Sequence, residues 1–330
     1  MIITGKYPQL RLRRNRKQAW IRRLLEETNL SSNDIIMPIF VMEGKNKIQT
    51  IKNMPGINRY SIDNLGKIVD KAIKNGIPMV SIFPYTNQKL KNLKGSESLN
   101  EDNLVCKSIR YIKDRYKNQI GIMTDVALDP YTSHGHDGIL ENNYVNNDKT
   151  VEILCKQSLL QAQMGCDVIA PSDMMDGRVG QIRKILDKNN LELVQILSYA
   201  VKFASNFYGP FREAIGSRKN LKNDKKDYQM DYKNKKEALR EVSLDIKEGA
   251  DIVMVKPGLP YLDIISSIKE EFKIPVFAYQ VSGEYSLIMN GIKRKIIKDD
   301  AILESLTSFK RAGCSAIVTY FAYQLANVLK

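Results

Sequence analysis

The feature that most constrains this 330-residue chain is a rhythm of eight short, largely apolar runs separated by helical patterns. The runs are "IIMPIF" (35–40), "PMVSIF" (78–83), "IGIMTDV" (120–126), "CDVIAPS" (166–172), "LVQILSYA" (193–200), "DIVMVK" (251–256), "PVFAYQVS" (275–282) and "SAIVTYF" (315–321). Near-continuous apolar character is what parallel strands covered on both faces require. Between them, "SIDNLGKIVDKAIKNG" offers Ser61 as an N-cap and Gly76 as a left-handed stop. The stretches 150–165 and 235–249 share that layout. The joints "NGIPMVSIF", "MGCDVIA" and "AGCSAIVTY" share a flavour without being a sequence repeat. Eight such units predict an α/β fold, a (β/α)8 TIM barrel over residues 35–330, preceded by an extended N-terminal arm, residues 1–34, for subunit contacts. A doubly wound sheet is the alternative, but no G-x-G-x-x-G follows the first run. Two long inserts, 129–148 and 216–233, are long enough to be functional, and lids are a common use.

Composition narrows the class. No apolar stretch reaches membrane-span length, and the start lacks the apolar core of a secretion signal. Cys106, Cys155, Cys166 and Cys314 show no C-x-x-C spacing and read as small core residues in a reducing compartment. A cytoplasmic protein is expected. The net charge of +14 allows a nucleic-acid reading, with clusters at 11–23 and 217–236. Neither cluster carries an RNA-binding signature, and the chain's Lys, Asn and Ile richness fits compositional drift better. No nucleic-acid partner is expected.

Barrel chemistry sits at the carboxyl ends of strands. Those ends hold Asp125, Ser172, Asp173, Tyr199, Lys202, Lys256, Tyr279, Ser282 and Tyr320. In "ADIVMVKPGLPYLDII" an apolar run ends on a lysine, a residue that normally keeps its head in water. Lys202 stands at the neighbouring strand end, so both amines should enter one cavity. Two close cations in an apolar pocket disfavour protonation, so each pKa should fall. A neutral lysine attacks ketones to give a Schiff base. Arg212, in "FYGPFREA", can clamp a carboxylate, or equally pair with Glu213 at the surface. The loop "DVALDPYTSHGHDG" holds His134, His136, Asp129 and Asp137. It reads as a weak hard-ion site or as a polar lid whose His and Asp side chains bond one another.

These segments, with "APSDMMDGRVGQIR", "DYQMDYKNKKEALRE" and "PVFAYQVSGEY", resemble the porphobilinogen synthase (5-aminolevulinate dehydratase) family over nearly the whole chain. The resemblance implies a hydro-lyase of tetrapyrrole and haem biosynthesis that condenses two 5-aminolevulinates to porphobilinogen with loss of two waters. It also implies a homo-octamer built through the arms. Lys256 matches the lysine of the principal Schiff base and Lys202 the second active-site lysine. Ser282 and Tyr320 match the groups on one substrate carboxylate. Arg212 matches a cation on the other, with Lys225 standing where many relatives have arginine. Asp125, Ser172 and Asp173 line the matching cavity.

The metal loop departs from the zinc-dependent pattern. Its three cysteine positions are Ala127, Asp129 and Asp137 here. No catalytic zinc is expected, as in the aspartate-rich subgroup, where magnesium or a monovalent cation is the candidate. Glu241 matches the glutamate of an allosteric Mg²⁺ site, with Arg13 or Arg14 of an arm expected to face it. The alternatives are a class I aldolase, which needs only one Schiff-base lysine, and a basic nucleic-acid binder, which salt-dependent retention on DNA or RNA would reveal.

Overall fold

The computed structural model describes residues 5–216, 221, 224–325 and 329. Eight parallel strands close a barrel. They are β1 (Ile35–Met42), β2 (Met79–Tyr85), β3 (Gly121–Val126), β4 (Val168–Pro171), β5 (Gln195–Lys202), β6 (Ile252–Lys256), β7 (Val276–Gln280) and β8 (Ala316–Thr319). Each pairs with the next, and β8 returns to β1 through Ile35↔Ile317 and Ile36↔Val318. Every residue of β4, β6 and β8 is buried, which is why those runs carry no polar alternation.

Helices α1 (Leu65–Lys74), α2 (Leu104–Tyr116), α3 (Asn147–Gln163), α4 (Arg178–Lys188), α5 (Lys235–Glu248), α6 (Leu262–Glu271), α7 (Ser282–Lys293) and α8 (Ala301–Arg311) lie between the strands. The joints have a physical reading. Gly76, Gly165 and Gly313 end their helices at φ of +71°, +101° and +106°, where a side chain would be strained. After Gly165, the Asp167 carboxylate accepts the Ile122 N–H at 2.8 Å and so ties the foot of β4 to β3. Ser61 precedes a 3₁₀ turn, but its hydroxyl accepts the Lys47 N–H at 2.9 Å instead of capping that turn.

The fifth strand extends two residues past the expected run, so Lys202 is its last residue. Ser282, expected in the seventh run, instead opens α7, and Tyr320 opens a 3₁₀ turn, Tyr320–Gln324. Four short strands were not foreseen. Ile139–Glu141 and Tyr144–Asn146 form a hairpin in the first insert, and Ile48–Thr50 with Asn58–Ser61 extends the sheet beside β1. No residue of 5–34 is buried, and Tyr7, Leu12, Trp20 and Leu24 are exposed along that arm. Among the described residues no helix is long and apolar enough to cross a membrane.

Candidate active site

At the carboxyl end of the barrel, Lys202 and Lys256 are direct partners in the β5–β6 register. Neighbouring positions on parallel strands present side chains to the same face, and both lysines are buried. With Asp125, Asp129, Asp137, Ser172, Arg212 and Lys225 they line one chamber. Sequence reasoning missed three further lining residues, Tyr208, Phe211 and Gln229. The free space left among these side chains is about 30 Å³, room for a water or two.

The two amines meet different surroundings. Lys256 Nζ lies over the rings of Tyr279, Tyr199, Phe211 and Tyr208 at 4.6, 4.9, 5.0 and 5.8 Å. Among the described residues no hydrogen bond ends on it. Burial, reinforced by the charge of Lys202, brings its pKa down from 10.5 to about 8, against the pull of Asp125, Asp129 and Asp137. That displacement is worth about 3 kcal/mol. The ring faces oppose it, each favouring the cation by about 0.5–2 kcal/mol. Lys202 Nζ donates to the Ser172 carbonyl and lies 3.6 Å from Asp137 Oδ1.

The carboxylates divide by partner. Asp125 is half-buried, and desolvation lifts its pKa to about 6, with Lys256 and Lys202 opposing. Its buried Oδ1 has no hydrogen-bond partner among the described residues. Lys225 reaches Asp137 at 3.0 Å and Asp129 at 3.5 Å. For Asp137 burial pushes upward, but Lys202 and Lys225 overcome it and hold the group well below the usual carboxylate range. Asp129 goes the other way, raised by burial despite Lys225. The histidines turn elsewhere: His136 Nδ1 is 3.2 Å from the Tyr228 hydroxyl and His134 Nε2 is 3.3 Å from the Leu93 carbonyl.

Of the other predicted residues, Tyr199 and Tyr279 enter as rings of the Lys256 cage. The Tyr279 hydroxyl lies 2.9 Å from that of Tyr320, and Ser282 Oγ accepts the Phe211 N–H at 2.8 Å. No ion pair joins Arg212 to Glu213; the Glu213 carboxylate takes the Asn53 amide instead. Asp173 faces away, beside the buried Arg178 at 3.6 Å, which in turn reaches Asp245 at 3.4 Å. Glu241 is remote from the lysines. It lines a cleft of about 330 Å³ with Asp176, Asp231 and Glu237, and burial and then Asp245 raise its pKa.

Residues 9–328 match the family model for "Delta-aminolevulinic acid dehydratase". The chain belongs to the delta-aminolevulinic acid dehydratase family. A delta-aminolevulinic acid dehydratase of Bradyrhizobium diazoefficiens is 52% identical over 322 residues, covering 97% of this chain and 91% of that one. One of Methanothermus sociabilis is 47% identical, over 98% of this chain and 99% of its own. Among solved structures, the Toxoplasma gondii dehydratase in complex with the reaction product porphobilinogen superposes with a TM-score of 0.94. It is 43% identical, with 97% of this chain and 91% of that chain covered. Aminolevulinic acid is a keto acid, and a buried amine in one chamber with Asp125, whose Oδ1 has no partner among the described residues, is suited to it.

Proposed function

We propose that this chain is a porphobilinogen synthase that joins two 5-aminolevulinates through lysine Schiff bases. The single observation that carries the reading is the Lys202–Lys256 pairing at adjacent strand ends, inside a chamber walled by rings. Lys256, with its lowered pKa, attacks the ketone of one substrate, and the carbinolamine loses water to leave the imine. Asp125, with a pKa near 6 and an unpartnered oxygen beside both lysines, moves protons to and from the reacting atoms. Lys202 engages the second substrate. Its imine on Lys202 releases the second water, and ring closure then forms one carbon–carbon and one carbon–nitrogen bond, returns both lysine amines and gives up the protons that leave the aromatic ring.

Arg212 holds one substrate carboxylate, with Lys225 as its companion; Ser282 and Tyr320 hold the other. Lys225 as folded is committed to Asp129 and Asp137, so a substrate carboxylate competes with those two acids for it. The space of 30 Å³ also means that two substrates enter only if the Arg212–Lys225 wall moves outward. The second active-site amine separates this reading from a class I aldolase.

The same residues support reading the chain as a zinc-independent, aspartate-rich member of the family. A zinc site needs soft ligands, and here Ala127 offers none while the Lys225 ammonium lies against both acids and repels a dication. Magnesium is assigned to Glu241 instead, in a cleft with Asp176, Asp231 and Glu237; among the described residues no group of three or more His, Cys, Asp or Glu converges to hold a metal ion, so water and a neighbouring subunit would complete its shell.

The deciding experiment is borohydride reduction in the presence of 5-aminolevulinate, followed by peptide mapping and a porphobilinogen assay. Label on Lys256, and loss of product by about a thousand-fold or more in Lys256→Met, is expected. Label found only elsewhere overturns the assignment.

A further inference from the structure

Glu284 is fully enclosed, and among the described residues no cation pairs with it. A buried carboxylate without a counter-charge is costly unless hydrogen bonds replace its water. Its partners are backbone N–H groups from two different turns. Oε2 accepts Val281 N at 2.5 Å, and Oε1 accepts Leu259 N at 2.6 Å. The Val281 bond is an ordinary helix cap, a side chain in the first turn of α7 reaching back to the helix start. The Leu259 bond is not required by any cap. It ties the β6–α6 turn to the β7–α7 turn.

Those turns carry chemistry. Leu259 follows Lys256 by three residues, and Val281 immediately precedes Ser282. On its other side the Lys256 carbonyl accepts the Phe203 N–H and the Tyr208 hydroxyl, both at 3.0 Å. Gly283, between Ser282 and Glu284, lies so close to the Phe207 carbonyl that any Cβ there would collide with it. Lys256 is therefore held from both sides, and the acid is the fastening on the α7 side.

We infer that Glu284 is a positioning residue for the reaction, setting where the Lys256 amine stands within its ring cage and where Ser282 stands relative to it. Two oxygens are needed because two N–H groups point at one side chain. An amide keeps the shape but turns an NH₂ toward one of those donors, so Glu284→Gln releases one turn. The inference rests on Lys256 being the Schiff-base lysine. The charged groups facing Lys256, which are Lys202 from β5, Asp125 from β3 and Asp129 and Asp137 from the first insert, are untouched by the substitution.

The test compares wild type with Glu284→Gln by steady-state kinetics and by the pH dependence of borohydride trapping at Lys256. A displaced amine gains water, so the trapping midpoint should rise from near 8 toward the ordinary lysine range, and kcat should fall by about 100-fold. A role in stability alone would lower the melting temperature and leave both the midpoint and kcat unchanged, and that outcome overturns the inference. Should the variant not fold, hydrogen exchange on the wild-type protein decides. The Leu259 and Val281 amides should exchange together through one opening, and a Leu259 amide exchanging orders of magnitude faster sinks the bridge. Failure of wild type to trap at Lys256 would instead remove the proposed function, so the two failures are distinct.

Discussion

Lys202 and Lys256 occupy one register position yet have unlike neighbours, and the division of labour proposed for them rests on that difference. Lys202 has a carbonyl acceptor and a carboxylate within reach, whereas Lys256 has rings. Only an amine that has shed its proton is nucleophilic, and for Lys256 that fraction grows as pH rises through about 8. Formation of the reducible adduct should therefore increase between pH 7 and 9 and level off above. An exposed lysine would still be climbing at pH 10. Following label incorporation against pH with a short borohydride pulse reads this directly; a midpoint near 10.5 would mean that Lys256 is solvated. The lysine pair was legible in the sequence because an ammonium ending an apolar run is conspicuous. The cage was not. Tyr208 and Phe211 come from a turn and a short helix whose approach to β6 no local pattern encodes.

At the level of elements, the strands were readable because burial on both faces erases polar alternation. The short hairpin at 139–146 escaped notice because its strands are three residues each and only half buried. Arg178 escaped for another reason. It opens α4, where a basic residue carries no periodic signal, yet it is among the most enclosed side chains in the molecule. It joins α4 to α5 through Asp245 and to β4 through Asp173, and donates to Ser198 Oγ of β5 at 3.1 Å. Asp173, expected in the cavity, belongs to this network because its Oδ1 is turned to the Met175 N–H at 2.7 Å. Removing one acid leaves a buried charge half compensated. Asp245→Ala should cost about 3 kcal/mol in urea unfolding. A cost below about 1 kcal/mol would show that water enters and solvates the guanidinium.

Across the whole molecule, the positions that would carry zinc and those that would carry magnesium lie in different places with opposite chemistry. The loop with Ala127, Asp129 and Asp137 has lost its soft ligands and gained an internal ammonium, so 1,10-phenanthroline should leave porphobilinogen formation nearly intact. Inhibition that zinc alone reverses would contradict this.

The Glu241 cleft is acidic and Glu241 itself does not line the chamber, although Gln229 borders both, so an ion at Glu241 would act through packing between elements or subunits. The arm supplies a reason to favour subunits. Within residues 5–34, Leu30 packs on the barrel core and Asp34 pairs with Lys310, while further out Trp20 and Leu24 stand 61% and 72% exposed on a segment that also carries Arg11, Arg13, Arg14 and Arg16. An apolar strip of this kind is expected to be covered, and a neighbouring barrel with a carboxylate cleft offers both the cover and the counter-charge. If the arms build an octamer, deleting residues 1–31 should yield smaller species in sedimentation velocity. It should also abolish magnesium stimulation, as Glu241→Ala should in the chain that keeps its arm. Sedimentation as an octamer without the arm would refute the role given to it. Magnesium stimulation surviving in Glu241→Ala would move the ion to another site, because no arm contact could then account for the response.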